Sequence, residues 1–543
     1  MITQQQRQQK DKHRDTERKD KKQSSTVPAH LELPLLMLGI VLIHFAVLKP
    51  VIWGLDGNEV LHVAHSLVTH HSFSVPADVG GMIGADGQTY STRYLLLPVL
   101  IAPLMAIAVA LSPYIGLPGL QIAATFAVAS SVVLIAATAL LVACLALRLG
   151  SRPRAAYLSA LCYAFGTIAL TYAQTLFSEP LLGFWVIACI YLAFGRSQRA
   201  WLASSLVAAL AILTKPVGVV LVPLLSLYFL AKRLHWRYSC GASGTSTEFS
   251  SDRPLKDSAL NVGFFGPIPP SRTVANPYNW SVVLSPLVLP ALGVLGYCLY
   301  NYARFGELFE TGQPTHYALT SAGMISRFFG FLVGWGMGGG LIWYCPPVVL
   351  AVFGFYKMLK AKPLEALVIA GTVLSFLWIH AFWWCCGWDW GPRFLVPILP
   401  LVMALTAFLD YSGRRGLVLL SALGGLISAP TLVSFYQRYY WEIETTGADV
   451  WALSLWTSLA DAPITNIWGV AYRQISAAMA TDVQSVLAAG NLAGLTQIVP
   501  VWWWMLPLVG VPVWIGAIAA ALLAIAGIVC LTVGWQRLPL NSN

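Results

Sequence analysis

Apolar stretches of about 20 residues recur along the whole chain, and each is long enough to cross a bilayer as a helix. Residues 33–53, 120–147, 281–300 and 508–533 are clear examples. Of 543 residues, 57% are hydrophobic and only 10% charged, whereas a soluble domain carries roughly 25% charge. Too few charges remain to cover a water-facing surface, which excludes a string of soluble domains. The pattern predicts an all-α polytopic membrane protein with about twelve transmembrane helices, in the range of roughly 11–13.

The net charge of +10 could suggest a nucleic-acid partner. Its placement argues otherwise. Arg7, Lys10, Lys12, Arg14, Arg18, Lys19, Lys21 and Lys22 crowd the start of the chain, with Asp11, Asp15, Glu17 and Asp20 among them. Cytoplasmic segments collect Lys and Arg, so residues 1–30 read as a cytoplasmic basic tail and no nucleic acid is expected. The tail is long and polar for the head of a secretory signal, and no A-x-A site follows the apolar run, so the first span reads as retained. The nine cysteines include no C-x-x-C pair, and Cys385 and Cys386 are neighbours, which offers no disulfide or zinc framework.

With the tail inside, residues 33–53 run outward and deliver an external loop, 54–94, to the outer surface. Arg148, Arg152 and Arg154 mark a cytoplasmic turn, so 120–147 must run inward. Residues 95–112 then have no net crossing to make and, with Pro98 and Pro103 inside them, read as re-entrant or juxtamembrane. Threading onward divides the chain into an N-terminal transmembrane module (31–232), a cytoplasmic linker (233–280), a second transmembrane module (281–436), an external segment (437–500) and a terminal helix with a cytoplasmic tail (501–543). Trp502, Trp503 and Trp504 read as the start of an interfacial belt.

On this threading nearly every unexplained polar residue falls on the outer side. The set includes Asp56, Glu59, Asp78, Asp86, Arg93, Ser178, Glu179, Lys215, Arg304, Glu307, Glu310, Trp388, Asp389, Trp390 and Arg393. Few ionisable residues lie mid-span, where transporters keep theirs, so the pattern points to chemistry at the surface. Asp56 and Glu59 have the spacing of a capping box at a helix start. Asp56 also suits a general base, because desolvation beside lipid raises a carboxylate pKa. His62 and His65 continue the i, i+3 spacing, but a second Glu-x-x-His helix is missing, so a divalent metal is not favoured and no cofactor is expected with certainty. Lys215, at a hairpin tip before Pro216, either snorkels to headgroups or reaches a shared cavity. With Arg93 and Arg304 it would suit a phosphate-bearing amphiphile.

At these residues the chain resembles the GT-C superfamily of polytopic glycosyltransferases, in its bacterial branch related to protein O-mannosyltransferases and the lipid A aminoarabinose transferase (family 39-type). The matching patterns follow one another in family order. They are Asp56-Gly-Asn-Glu59, Asp86-Gly-Gln-Thr-Tyr90-Ser-Thr-Arg93-Tyr94, Phe177-Ser-Glu179-Pro180, Leu213-Thr-Lys215-Pro216, Asn301-Tyr-Ala-Arg304, Glu310-Thr-Gly312, Trp343-Tyr-Cys-Pro346-Pro347 and Trp388-Asp389-Trp-Gly-Pro-Arg393. Residues 437–543 carry no such pattern.

The resemblance implies a membrane enzyme that moves a sugar from a polyprenyl-phosphate donor to an acceptor hydroxyl at the outer face, with inversion. It implies a bacterial inner membrane, both termini cytoplasmic and the active site on the periplasmic side. Asp56 matches the family's base position. Relatives usually carry Asp-Glu there, whereas Gly57 follows Asp56 and the acid recurs at Glu59, so either carboxylate could serve. Arg93 and Lys215 match the basic positions expected to hold the donor phosphate, with Arg304 a weaker match. Tyr90, Glu179, Trp388, Asp389 and Arg393 complete the expected substrate-binding set, and Trp383, Trp384, Trp388 and Trp390 read as stacking platforms for a sugar or prenyl chain or as interfacial anchors. The partners implied are the lipid-linked donor, membrane lipids and a lipid, glycan or protein acceptor.

Two other readings fit a chain of this kind. A flippase or transporter of lipid-linked sugars or polysaccharide would show repeats, broken helices and mid-membrane charges. A ligase joining lipid-linked glycans would need a longer external domain than 437–500 supplies.

Overall fold

The computed structural model describes residues 32–195, 197–241, 280–313, 323–334, 339–382, 388–447, 449–450, 458–480 and 498–539. The basic tail, most of the linker, Trp383, Trp384, Cys385 and Cys386 lie outside the described residues. Within them the chain is helical apart from one small hairpin, in which β1 (Met82–Ile83) pairs antiparallel with β2 (Thr89–Tyr90).

The longer helices are α1 (Glu32–Ala46), α2 (Leu55–Thr69), α3 (Leu96–Ile115), α4 (Gly119–Arg148), α5 (Pro153–Gly166), α6 (Ser178–Ala193) and α7 (Gln198–Thr214). They continue with α8 (Leu221–Gly241), α9 (Trp280–Phe305), α10 (Met324–Val333), α11 (Ala351–Ala361), α12 (Pro363–Phe382) and α13 (Leu399–Leu405). The last four are α14 (Tyr411–Ser428), α15 (Gln437–Thr445), α16 (Pro463–Ala480) and α17 (Val513–Arg537). Among the described residues, seven helical stretches are long and apolar enough to cross a membrane, and α1, α6, α7, α10 and Arg393–Phe408 are shorter apolar helices. Leucines such as Leu287, Leu292 and Leu295 on α9 point outward, as they should where the surroundings are lipid rather than water.

Contacts between distant segments fix which ends of these helices lie together. The Arg154 guanidinium donates to the Leu538 carbonyl, and Gly534 lies against Tyr157 and the Glu32 carbonyl. Lys362 reaches the Arg148 carbonyl, and Lys232 pairs with Glu365 at 2.7 Å. One end of the bundle therefore gathers the turns expected to be cytoplasmic. At the other end Thr125 donates to the Pro50 carbonyl at 3.0 Å, which sets the first turns of α4 beside the exit of α1.

This arrangement decides the path of α3. Arg93, just before it, contacts Asp56, and Thr125, just after it, contacts Pro50. The segments flanking α3 thus lie at the same end of the bundle, the arrangement expected of a segment with no net crossing to make, although the helix is a full 20 residues long. Its buried stripe of Leu97, Ile101, Met105 and Ala108 packs on Val60, Leu61 and Ala64 of α2 and on Ile122 to Ala127 of α4. Pro103 is accommodated inside the helix.

The first and last spans touch closely. A Cβ on Gly527 would meet the Gly39 carbonyl at 2.8 Å, and one on Gly39 would meet Leu531 at 2.6 Å, so the two backbones approach as only glycine allows. The tryptophan run is tied into this joint. Trp502 and Trp503 donate their indole N–H groups to the Phe45 and Ala46 carbonyls at 2.8 and 3.1 Å, satisfying acceptors that the end of α1 leaves open. The span that follows begins at Val513, a turn later than its apolar run suggests. Helix α8 continues to Gly241, past the expected linker boundary, and α10 was not anticipated from the sequence.

Candidate active site

Lys49, just past α1, is buried and donates to the Thr431 and Ser434 carbonyls. It anchors the strand of chain that leads into α2. Gly54 takes φ +147 there and α2 starts at Leu55, with no side chain capping it. The capping-box alternative for Asp56 and Glu59 is therefore not realised. Asp56 sits in the first turn with both carboxylate oxygens turned to arginines. Oδ1 is 2.9 Å from Arg93 and Oδ2 is 3.0 Å from Arg393.

Glu59, one turn further, is buried and saturated. It accepts from the Ser91 hydroxyl at 2.6 Å, the Thr92 amide at 3.2 Å and Arg93 at 3.1 Å. Position 57 has no room for a second acid, since a Cβ there would lie 2.7 Å from Ile52 Cγ2. Gly57 thus suits the close approach of Ile52 and the Leu176 carbonyl at this turn. Of the two candidate bases, Asp56 has the more open carboxylate and Glu59 is engaged in holding the 91–93 segment.

The hairpin carries that segment. Asp86 accepts from the Gln88 amide and the Tyr90 hydroxyl at 3.0 and 2.8 Å, an Asx-type turn closed by Gly87 at φ +80. The Tyr90 side chain is thereby spent within the hairpin. Arg304 lies behind it, buried, donating to the Ser91 and Tyr300 carbonyls and to Asn301 Oδ1. Neither Tyr90 nor Arg304 lines the cavity described next, so the structure places both in support of the site rather than in its wall.

From α6 and the α7–α8 hairpin come Glu179 and Lys215, a buried ion pair at 2.7 Å. Lys215 Nζ also lies 4.4 Å from the centre of the Phe394 ring. Lys215 points into the protein and not toward headgroups, so the snorkelling alternative is not realised. Arg393 joins both groups, with Nε 3.2 Å from Asp389 and 3.6 Å from Glu179. Among the described residues, the buried Nε of Arg93 makes no hydrogen bond, and that of Arg393 makes these ion-pair contacts without a well-aligned hydrogen bond.

These groups share one cavity of about 940 Å³, lined among others by Asp56, Glu59, His62, Asp78, Arg93, Tyr94, Glu179, Lys215, Trp388, Asp389 and Arg393. It is roomy enough for a glycosyl phosphate, against 300–1,000 Å³ for ordinary ligand pockets. Gln313 and Gln437 also line it; neither stood out in the sequence, where each is a lone amide beyond the recognisable patterns. Trp388 stacks on Tyr440 at 6.0 Å and faces the cavity, whereas Trp390 is fully buried and cannot serve as a sugar platform. Among the described residues, no group of three or more His, Cys, Asp or Glu side chains could hold a metal ion.

Burial pushes the Asp56 carboxyl up, but the charges of Arg93, Arg393 and Lys215 outweigh it and hold the group below the usual carboxylate range. The raised value expected from its place beside lipid is thus reversed by its partners. Asp56 is ionised and ready to accept a hydrogen bond or proton, while its arginines moderate its basicity.

A polytopic helical membrane protein with a charged cavity at one end of its helices is the class that fold and site define. The family model described as dolichyl-phosphate-mannose-protein mannosyltransferase matches residues 97–244, a stretch that includes Glu179 and Lys215. Among solved structures the chain is similar to ArnT from Cupriavidus metallidurans bound to undecaprenyl phosphate, with TM-score 0.46 and 12% identity over 90% of this chain and 76% of that one. It is also similar to the Archaeoglobus fulgidus oligosaccharyltransferase tethered with an acceptor peptide, with TM-score 0.44 and 12% identity over 76% of this chain and 57% of that one. The complex of the same organism's AglB with an inhibitory peptide and a dolichol-phosphate gives TM-score 0.44 and 12% identity, over 76% of this chain and 58% of that one. No curated protein sequence matches the chain.

Proposed function

We propose that the protein is an inverting glycosyltransferase that takes a sugar from a polyprenyl-phosphate donor and transfers it to an acceptor hydroxyl at the outer membrane surface. The observation that carries this reading is the Asp56 carboxylate held between Arg93 and Arg393 in the wall of a cavity it shares with Lys215. The family match over 97–244 and the ordered motifs point the same way.

The chemistry follows from these groups. The acceptor O–H hydrogen-bonds to Asp56, its oxygen attacks the anomeric carbon, and the bond from that carbon to the phosphate oxygen breaks with its electron pair going to phosphate. Asp56 takes the proton. The donor is a phosphodiester with one negative charge and the leaving polyprenyl phosphate gains a second, while Asp56 loses one. The cavity's total charge is therefore unchanged across the step, although the carboxylates that line it, Asp56, Glu59, Asp78, Glu179 and Asp389, already outnumber its lining lysine and arginines, Lys215, Arg93 and Arg393. The three cations stabilise charge as it moves onto phosphate. A phosphate drawing on Arg93 and Arg393 also loosens their hold on Asp56, which strengthens it as a base when the donor is in place.

The alternative of a transporter for the same lipids predicts donor movement without consumption. The test uses purified protein in nanodiscs with radiolabelled polyprenyl-phosphate sugars and crude membrane lipids as acceptors. Release of polyprenyl phosphate with label in a new product supports the transferase. Binding and leaflet exchange of an intact donor would overturn it.

A further inference from the structure

Helix α16, between the end of the second transmembrane module and the last span, has three faces and not two. At 100° per residue, Ile467, Val470, Ala471, Gln474 and Ala478 form the side packed on the protein. Asn466, Arg473 and Ser476 form a polar flank, with Arg473 paired to Glu442 at 2.6 Å. Between these two sides lie Trp468, Tyr472 and Met479, which are 52%, 73% and 76% exposed. In a soluble protein such a stripe would be an unpartnered interaction face.

Here its edge is continuous with the membrane-facing surface. Ile475, on the same flank, and Trp503 and Trp504 all pack against one small cluster of Ala478, Val499 and Val501, and the tryptophans precede α17, whose first turn exposes Trp514. A helix with one apolar flank, one polar flank and aromatic residues beside a span end has the form of one lying in the interfacial plane.

We propose that α16 docks on the membrane itself, burying Trp468, Tyr472 and Met479 at the boundary of headgroups and acyl chains on the cavity's side of the bilayer. The occupant of the stripe is phospholipid. The docking braces the cavity wall: Gln474 on the packed side accepts from the Phe435 amide at 3.3 Å and donates to the Ile498 carbonyl at 2.8 Å, and Gln437, two residues past Phe435, lines the cavity. The inference rests on the chain's crossing the membrane and is independent of the reaction proposed for the cavity.

The test places a benzophenone amino acid at Tyr472, at Ser476 on the polar flank, or at Ile525 on the exposed face of α17, in full-length protein in phospholipid nanodiscs. After illumination, intact mass is read for phospholipid adducts. Positions 472 and 525 should both gain the mass of one phospholipid, with labelling at 476 several-fold weaker. Equal labelling at 472 and 476, no lipid adduct at 472 while 525 is labelled, or a product of doubled mass at 472 would each overturn the proposal, the last in favour of a second copy of the chain.

Discussion

Removing the Lys215 ammonium separates two roles that the pair with Glu179 combines. Nζ is 2.7 Å from Glu179 Oε1, both groups are buried, and the nearest other cation to Glu179 is Arg393 at 3.6 Å. Breaking a buried pair from one side costs about 3–5 kcal/mol, and the remaining arginine puts Lys215→Met at the low end, about 3 kcal/mol. Neutralising both sides removes the stranded charge, so Lys215→Met with Glu179→Gln should regain most of that stability. Donor binding should not recover with it. A charge-assisted contact to phosphate is worth about 1.5–3 kcal/mol, which is roughly a 10- to 150-fold loss of donor affinity. Thermal unfolding of the single and double variants in one detergent, beside equilibrium binding of a polyprenyl-phosphate sugar, measures both. A double variant that is stable and binds donor as tightly as wild type would refute the phosphate role of Lys215 and leave it a structural ion.

Three other expectations test the surrounding parts. Ser91→Ala leaves Glu59 without its 2.6 Å donor, and should cost about 1.5–3 kcal/mol in thermal unfolding; no change would mean that Thr92 and Arg93 suffice. Arg304→Lys loses the forked contacts to Ser91 and Asn301 and should lower stability while leaving donor affinity within a few-fold of wild type; a loss matching that of Arg93→Gln would return Arg304 to the phosphate site. Asp56 is held below the ordinary carboxylate range by Arg93, Arg393 and Lys215, so its proton-accepting form persists as pH falls until that lowered value is passed. The acid limb of kcat/KM for the donor should therefore lie below the ordinary carboxylate range, and Arg93→Gln should move it upward; a limb that stays put would detach it from Asp56.

Much of the fold was legible because a bilayer imposes rules that act locally. Arg148 and Arg154 marked one side and the polar residues of 54–94 the other, and the flanks of α3 lie together at one end of the bundle, as that parity asks of it. What sequence could not supply was the direction in which long side chains point. Arg304 and Lys215 read alike as cations at span ends, yet Arg304 turns behind the hairpin onto backbone carbonyls and Lys215 turns into the cavity. Glu59 and Asp56 also read alike, one turn apart, until Ser91 and Thr92 were seen to saturate the first. The sign of the Asp56 shift was missed for the same reason: burial could be inferred from position, but its two arginines arrive from residues 93 and 393. Gln313 and Gln437 had no signal beyond polarity.

The central claim is that Asp56 accepts the acceptor's proton. Asp56→Asn keeps the side chain's size and leaves Arg93 beside Glu59 and Arg393 beside Asp389, so the cavity should stay formed. Donor consumption by this variant, measured with donor affinity in the same nanodiscs, tests the claim directly. Turnover should fall by about 10²–10⁴-fold, the usual worth of a general base, with donor affinity within a few-fold of wild type. Turnover at the wild-type rate with donor bound would contradict the account.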